Sequence, residues 1–279
     1  MQTEKPMVSV IIPCFNHGQY IDEAVNSVLS QTFQDFEIII VNDGSTDKYT
    51  VNKLNSYNKP KCKIIHTVNK GLSTARNIGI KESSGKYLLP LDADDKIGVK
   101  YLEEAVKILE KDIEIGIVYC DVEFFGDKTG KWNLPDFSIN RILIMNMIIC
   151  SALFRKCDYL VTSGYNPNMI YGWEDWDFWL SVIENGSGVY KLPDVHFFYR
   201  IKNNDSMLKD LSLSLERQKY SLKTIYLNHF NFYLNKLGNP IELYSKLNNV
   251  LSSKDYKIGR LIINPARKLK KILKSKRIL

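Results

Sequence analysis

The sequence lacks the cysteine pattern of a zinc site or a disulfide framework. Its five cysteines form no CxxC pair, and their number is odd. Cysteine zinc sites and the disulfide frameworks of small secreted domains both need paired, regularly spaced cysteines. We therefore expect reduced thiols and a cytoplasmic protein.

Long hydrophobic runs are also missing. The longest apolar stretches cover residues 7–14 and 142–154, and Asn146 interrupts the second. A membrane-spanning helix needs roughly 20 consecutive apolar residues. The sequence therefore predicts no membrane span.

Most of the chain has no surplus of basic charge. The formal net charge is +7, but residues 267–279 hold seven Lys and Arg and no acid, which leaves 31 basic and 31 acidic residues elsewhere. A nucleic-acid-binding protein usually carries cations across a whole binding face, so we expect no nucleic-acid partner. Residues 264–279 have two interpretations: an amphipathic helix on an anionic membrane surface, or a charged end in solution. On the first, the protein is peripheral at the inner face of the cell membrane.

What the sequence does contain is a regular alternation of strand and helix patterns. Short apolar runs predict strands at 8–13, 36–41, 62–66, 87–91 and 115–120, with amphipathic helices between them. This alternation is typical of an α/β fold with a mostly parallel sheet flanked by helices. We predict a catalytic domain over residues 1–206 and a helical C-terminal region over 207–279.

Three carboxylates follow the fourth predicted strand. Tyr87 to Leu91 forms an apolar run, and Asp92, Asp94 and Asp95 come directly after it. Open α/β sheets bind ligands at the carboxyl ends of their strands, and alternate residues of an extended chain point to the same side. Asp92 and Asp94 would therefore form a pair of carboxylates on one side of the chain. Such a pair suits Mg²⁺ or Mn²⁺ carrying a substrate phosphate. The alternative is an acidic turn that caps the next helix.

Five motifs together resemble the family 2 glycosyltransferases. They follow in the family's order and approximate spacing, and the resemblance covers roughly residues 7–205. The resemblance implies a GT-A fold with a Rossmann-like nucleotide-binding half and a C-terminal helical appendage. The motifs are Pro13-Cys-Phe-Asn16, Asn42-Asp-Gly-Ser-Thr-Asp47, Asn69-Lys-Gly-Leu-Ser-Thr-Ala-Arg-Asn77, Leu91-Asp-Ala-Asp-Asp95 and Trp173-Glu-Asp-Trp-Asp-Phe-Trp179.

The resemblance implies a pyrimidine nucleotide site. Phe15 matches a position that packs on the base, and Asp43 matches an acid that accepts a hydrogen bond from the imide N–H of uracil or thymine. Arg76 matches an arginine near the nucleotide. Taken alone, Asp43 also fits a simple turn, and Arg76 fits a tie between helix and sheet. The other implied nucleotide contacts are Pro13, Asn16, Gly71, Asp92 and Ala93.

The same resemblance implies a metal site and a general base. Asp94, with Asp92, matches the ligands of a divalent Mn²⁺ or Mg²⁺ ion. Asp175 matches the general base of inverting members, and Trp173 and Glu174 fall where the acceptor or donor sugar binds. The tandem acids also fit a charge pair at the start of a helix.

One position departs from the family pattern. The family frequently has a histidine where this chain has Lys202, in Tyr199-Arg-Ile-Lys-Asn-Asn-Asp-Ser206. A charged lysine cannot ligate a metal, but it can contact a diphosphate.

The resulting hypothesis is a metal-dependent, inverting hexosyl- or N-acetylhexosaminyltransferase of surface polysaccharide biosynthesis. It moves one sugar from a UDP-sugar or dTDP-sugar to a glycan or lipid-linked acceptor. The sequence is compatible with a monomer and with a homo-oligomer. Two alternatives remain. A sugar nucleotidyltransferase would need a glycine-rich loop where Pro13-Cys-Phe-Asn16 stands, and a non-catalytic, membrane-associated nucleotide-sugar-binding protein would have lost Asp94 or Asp175.

Overall fold

The computed structural model describes residues 5–132, 134–202, 211–212 and 214–263, and it is an α/β structure. Its strands are β1 (Val8–Cys14), β2 (Phe36–Asp43), β3 (Cys62–Thr67), β4 (Tyr87–Pro90), β5 (Lys96–Ile97), β6 (Ile115–Gly126), β7 (Gly130–Trp132), β8 (Leu153–Arg155) and β9 (Gly188–Ile201). Its helices are α1 (Ile21–Leu29), α2 (Lys48–Asn55), α3 (Leu72–Lys81), α4 (Tyr101–Lys111), α5 (Ile139–Ile142), α6 (Lys156–Leu160), α7 (Glu174–Glu184), α8 (Leu215–Asn228), α9 (Phe230–Leu237) and α10 (Pro240–Ser252).

The strands form one sheet in the order β3-β2-β1-β4-β8-β6-β9-β5, with β7 paired to β6. The first four strands lie side by side in the order β3-β2-β1-β4, and each pair of neighbours is parallel. Strand β8 pairs antiparallel with both β4 and β6. The parallel half is the part that the strand–helix alternation predicts. The predicted mostly parallel sheet flanked by helices is confirmed.

Strands β1, β2 and β4 are buried on both faces, which explains their continuous apolar runs, whereas the edge strand β3 is partly exposed. All seven residues of β1 are buried, and so are seven of the eight residues of β2. Helix α3 approaches β1 closely at Gly79, where an added Cβ would lie 2.4 Å from the Cγ2 atom of Ile11. This close packing holds α3, and with it Arg76, against the central strands.

The acidic stretch after β4 forms a turn. Leu91 N–H donates to the carbonyl of Ile11, and Asp95 N–H donates to the carbonyl of Asp92 over 3.0 Å. The expected extended chain, with Asp92 and Asp94 pointing to one side by strand alternation, is therefore wrong. The capping alternative is also wrong, because α4 begins after Lys100 and no side chain caps it.

The chain divides into two compact units, residues 1–229 and 230–279. The first unit includes α8, which lies beyond the predicted boundary at residue 206. Asn228 Nδ2 donates to the Asp177 carboxylate over 3.1 Å, and His229 Nδ1 lies 3.1 Å from Glu184 Oε2, so the end of α8 is bonded to α7. Within the described residues, no helix is long and apolar enough to cross a membrane. The tail predicted at 264–279 lies outside that part of the chain.

Candidate active site

The loops that follow β1, β2 and β4 border a cavity of about 1470 Å³, together with the start of α7. This volume exceeds the roughly 300–1,000 Å³ of a pocket for one small ligand. All but one of the predicted site residues line the cavity. They are Pro13, Phe15, Asn16, Asp43, Gly71, Asp92, Ala93, Asp94, Trp173, Glu174, Asp175 and Lys202.

Arg76, the remaining predicted residue, lies buried and joins two of these acids. Its side chain is 1% exposed; Nη1 donates to Glu174 Oε1 over 2.6 Å and Nη2 donates to Asp92 Oδ1 over 2.7 Å. The guanidinium also lies over the ring of Tyr165. Burial alone would lower the pKa of Arg76, but the charges of Asp92 and Glu174 raise it. Arg76 therefore stays charged and fixes the turn after β4 to the start of α7.

The loops predicted to hold the nucleotide are bonded to one another. Asn16, in the left-handed region with φ 56°, accepts hydrogen bonds at Oδ1 from the N–H groups of Thr46 and Asp47 over 2.8 and 2.9 Å. Asp43 is 4% exposed and accepts from the N–H groups of Lys70 and Gly71, each over 2.9 Å. The first three motifs thus form one hydrogen-bonded rim around the cavity.

Residues at the end of β9 bond to the acidic turn. Lys202 Nζ donates to Asp94 Oδ2 over 2.8 Å, and it lies 3.2 Å from His17 Nε2. Arg200 donates from its backbone N–H to the buried Asp95 carboxylate and from Nε to the carbonyl of Asp94. Lys202 therefore lies beside Asp94 as its cation, at the position where the family frequently has a histidine.

The donors around Asp92 decide which metal ions fit. Three possible ligands there, Asp92, Asp95 and Cys150, have their ligand atoms within 4.8 Å of one another. Burial, and then the charge of Asp92, raises the pKa of Cys150, so this thiol is neutral and is a poor ligand for a hard cation. Arg76 binds only Oδ1 of Asp92, while the Oδ1 atom of Asp94 lies 3.9 Å from His17 Nδ1. In the part of the chain that the structure describes, Asp92 Oδ2 contacts the Cys150 thiol and Asp94 Oδ1 lies near His17, so one oxygen of each carboxylate has no Lys or Arg partner. These hard oxygen donors fit Mg²⁺ or Mn²⁺.

Asp175 lies at the first turn of α7, and within the described part of the chain its hydrogen-bond donors are neutral. It accepts from Asn146 Nδ2 over 3.0 Å and from the N–H of Trp176 over 2.8 Å. Burial, and then the charge of Glu174, raises the pKa of Asp175 to about 7. This carboxylate can therefore take up a proton near neutral pH, as a general base must.

The backbone before α7 is held in an unusual conformation. Trp173 lies in the left-handed region, with φ 65° and ψ 21°, although it is not a glycine. Gly172 before it has φ 111°. A left-handed conformation at a non-glycine residue costs about 1–3 kcal/mol and is found most often at functional sites. Trp176 Nε1 donates to the carbonyl of Ile142 over 2.6 Å, and both Trp176 and Trp179 are buried.

Asn146 and Cys150 are site residues that the motifs do not indicate. Both lie in the stretch 121–170, which has no regular periodicity, and both line the cavity. The one signal for Asn146 is that it is the polar residue inside an apolar run. Asn146 is partly buried, and the partner of its side chain amide is Asp175.

The model of the family described as "Glycosyl transferase family 2" matches residues 9–171. An uncharacterised glycosyltransferase of Haemophilus influenzae is 31% identical over 265 residues, which cover 87% of this chain and 79% of that protein. The chain belongs to glycosyl transferase family 2. A hyaluronan synthase of Pasteurella multocida is 29% identical over 90% of this chain, but the match covers only 25% of that relative's length.

Comparison with solved structures shows that this family 2 glycosyltransferase has the GT-A fold. S. aureus TarS in complex with UDP has a TM-score of 0.60 and 21% identity, over 88% of this chain and 78% of that one. TarS in complex with UDP-GlcNAc has a TM-score of 0.58 and 20% identity, over 82% and 74% of the two chains. The predicted family, fold and enzyme class are confirmed: the protein is a glycosyltransferase.

The hydrogen bond from Asn146 should lower the pKa of Asp175. An Asn146→Ala variant loses a donor that stabilises the ionised carboxylate, so the pKa of Asp175 should rise by about one unit. The measurement is a pH titration of ¹³C-labelled aspartate carboxyl signals, with Asp175→Asn assigning the peak. Asn185→Ala, at the end of α7, is the matched control and should leave the pKa near 7. An unchanged pKa in Asn146→Ala would contradict this account.

Proposed function

We propose that the protein is an inverting transferase that moves one sugar from a UDP-sugar, or a dTDP-sugar, to a hydroxyl of a glycan or lipid-linked acceptor in surface polysaccharide biosynthesis. The observation that carries the proposal is the shared cavity of Asp43, Asp92, Asp94 and Asp175. Asp92 and Asp94 there are bonded to cations and Asp43 to backbone N–H groups, while burial raises the pKa of Asp175 to about 7. The UDP and UDP-GlcNAc complexes of TarS support this donor class.

The nucleotide would bind at the bonded rim. Phe15 is 42% exposed in the cavity, and its ring face can pack on a pyrimidine. Asp43 already accepts two backbone N–H groups, but a carboxylate has about four acceptor sites, so it can also accept the imide N–H of uracil or thymine. Cytosine has no N–H at this ring position, which favours UDP or dTDP donors. Pro13, Asn16, Gly71 and Ala93 would complete the contacts.

Asp94 and Asp92 would hold Mn²⁺ or Mg²⁺. Such an ion stabilises the negative charge that grows on the departing diphosphate. The Lys202 ammonium lies 2.8 Å from Asp94 and would reach the same diphosphate as a second positive charge.

Asp175 would act as the general base. It would take the proton from the acceptor hydroxyl while that oxygen forms a bond to the anomeric carbon and the bond to the diphosphate breaks. Because Glu174 is bonded to buried Arg76, its role would be to orient the loop beside the sugar. Trp173 lines the same end of α7 and would contact a sugar.

The role of Asp175 predicts a loss of turnover without a loss of binding. An Asp175→Asn variant cannot accept the proton, so kcat should fall by about 10²- to 10⁴-fold. A panel of nucleotide sugars first identifies the donor, and isothermal titration calorimetry with UDP and Mn²⁺ should give an unchanged Kd. Exposed Asp35→Asn is the control and should behave as the wild type. A fully active Asp175→Asn enzyme would refute the proposed base.

The role of Asp94 predicts where the metal binds. An Asp94→Ala variant should lose Mn²⁺ binding in the presence of UDP, because a hard oxygen ligand is gone. The measurement is the electron paramagnetic resonance signal of free Mn²⁺ during titration, which is independent of activity. Asp35→Ala should bind Mn²⁺ as the wild type does, and the same Mn²⁺ affinity in Asp94→Ala would exclude Asp94 as a ligand.

The C-terminal unit would hold the enzyme at the cytoplasmic face of an anionic membrane. Residues 230–279 carry 12 of the 38 Lys and Arg but 2 of the 31 Asp and Glu, a net +10, while the rest of the chain has a net −3. Helix α10 adds an apolar face at helical spacing that is 41–65% exposed: Leu243, Tyr244, Leu247, Val250 and Leu251. An apolar helix face within a segment of high positive charge is typical of a helix that lies in a membrane interface.

Truncation tests the proposed membrane anchor. Deleting residues 264–279 removes seven cations, each contributing about 1 kcal/mol near an anionic surface, so binding to phosphatidylglycerol vesicles should fall by more than a hundredfold. Co-sedimentation at low and high salt measures it, with phosphatidylcholine vesicles as the control lipid. Equal binding of the truncated and full chains would show that the tail is not an anchor.

A further inference from the structure

A second group of possible metal ligands lies where α4 packs against β9. It consists of Glu104, in the first turn of α4, and of Asp194 and His196, both in β9. One donor atom from each of the three side chains lies within 4.8 Å of the other two, and His196 Nε2 is 3.0 Å from Glu104 Oε2. None of the three residues lines the large cavity, so the proposed transfer reaction gives them no role.

Strand β9 is irregular at both of its ligand positions. Three consecutive residues of β6, Cys120, Asp121 and Val122, pair with Leu192, Val195 and Phe197 of β9. Asp194 and His196 therefore lie in bulges, where β9 has more residues than the neighbouring strand. Bulges redirect side chains and are found often beside functional sites. Here the two redirected side chains meet Glu104.

The imidazole of His196 is held in a fixed orientation. Its side chain is 9% exposed, and its ring stacks on Tyr101 with centroids 5.8 Å apart and an interplanar angle of 17°. The His196 carbonyl accepts a hydrogen bond from the N–H of Gly98 over 2.8 Å. Gly98 also packs close to the other ring nitrogen, since a Cβ added there would lie 3.0 Å from Nδ1. The ring is thus positioned with Nε2 towards Glu104.

The two carboxylates of this group lack basic partners. Among the described residues, neither Glu104 nor Asp194 forms a salt bridge with Lys or Arg, and the ion-pair partner of Glu104 is His196. Neighbouring carboxylates repel each other, and a cation between them removes that repulsion. Glu104 is partly exposed and Asp194 is exposed, so an ion can reach the group from solvent. With a neutral imidazole, the group offers one nitrogen and two oxygens to a metal ion.

We propose that Glu104, Asp194 and His196 bind a zinc ion that joins α4 to β9. Zn²⁺ accepts imidazole nitrogen and carboxylate oxygen as ligands, with water in the fourth position of its tetrahedron. Bonds of about 2.0–2.2 Å place neighbouring ligand atoms about 3.3–3.6 Å apart, so the ligands need only a small adjustment, chiefly of the exposed Asp194 side chain. Because imidazole suits Zn²⁺ better than Mg²⁺, the group differs from the all-oxygen pair Asp92 and Asp94.

This ion would support the part of β9 that bonds to the acidic turn. Strand β5, which follows that turn, pairs with β9 at Phe197 and Phe198, directly after His196. Further along β9, Arg200 bonds to the carbonyl of Asp94 in the turn. The zinc ion is structural and takes no part in the transfer, so the inference does not depend on the proposed function.

Zinc titration of full-length protein with ¹⁵N-labelled histidine tests the site without any substrate. The chain has four histidines, so His196→Gln assigns the His196 ring signals. Zn²⁺ should shift the Nε2 signal of His196, because the lone pair of that nitrogen then binds the metal. In a Glu104→Gln, Asp194→Asn double variant, the Kd read from this shift should rise at least about a hundredfold, since losing an outer-shell partner alone typically costs 10- to 100-fold.

The matched control is a Glu103→Gln, Glu114→Gln double variant. It loses the same charge from two exposed acids near the group and should bind zinc as the wild type does. The ring signals of His17, which lies beside Asp94, report separately any zinc at the acidic turn. Two results would overturn the inference: a His196 signal that does not move in excess Zn²⁺, or an equal Kd after the two ligand acids are replaced. Either would mean that His196 and Glu104 form only an ion pair.

Discussion

The site depends on one buried guanidinium. Arg76 bonds to Asp92, which follows β4, and to Glu174, which begins α7, so it joins the parallel half of the sheet to the helix that carries Asp175. Removing one partner of a buried ion pair typically costs about 3–5 kcal/mol, because the remaining charge stays buried and unpaired. The separation between the acidic turn and the base is thus set by a contact that itself does no chemistry.

The charges around this arginine divide the acids into two kinds. Asp92 and Glu174 share Arg76, and Asp94 is bonded to Lys202. Asp175 accepts hydrogen bonds from two neutral donors, and burial and the nearby Glu174 charge raise its pKa to about 7. Chemically identical side chains can therefore serve as fixed negative charges or as a base, depending on the partners that the fold provides.

One cavity contains both kinds of acid. Its lining includes carboxylates and Lys202, suited to a charged nucleotide, and it also includes Asp175. A donor and an acceptor bound in this cavity could thus meet with their reacting atoms near the same acid, which is what transfer between two substrates requires.

The sequence by itself determined the strands of the parallel half, the helices between them and the family, because these follow from local hydrophobic periodicity and ordered motifs. It did not determine the acidic turn, the antiparallel position of β8 or the role of Asn146. Those depend on contacts between residues far apart in the chain: 98 positions separate Arg76 from Glu174, and 29 separate Asn146 from Asp175. Only the tertiary structure decided which acid has a cation and which has a raised pKa, because electrostatic partners are chosen by distance in space.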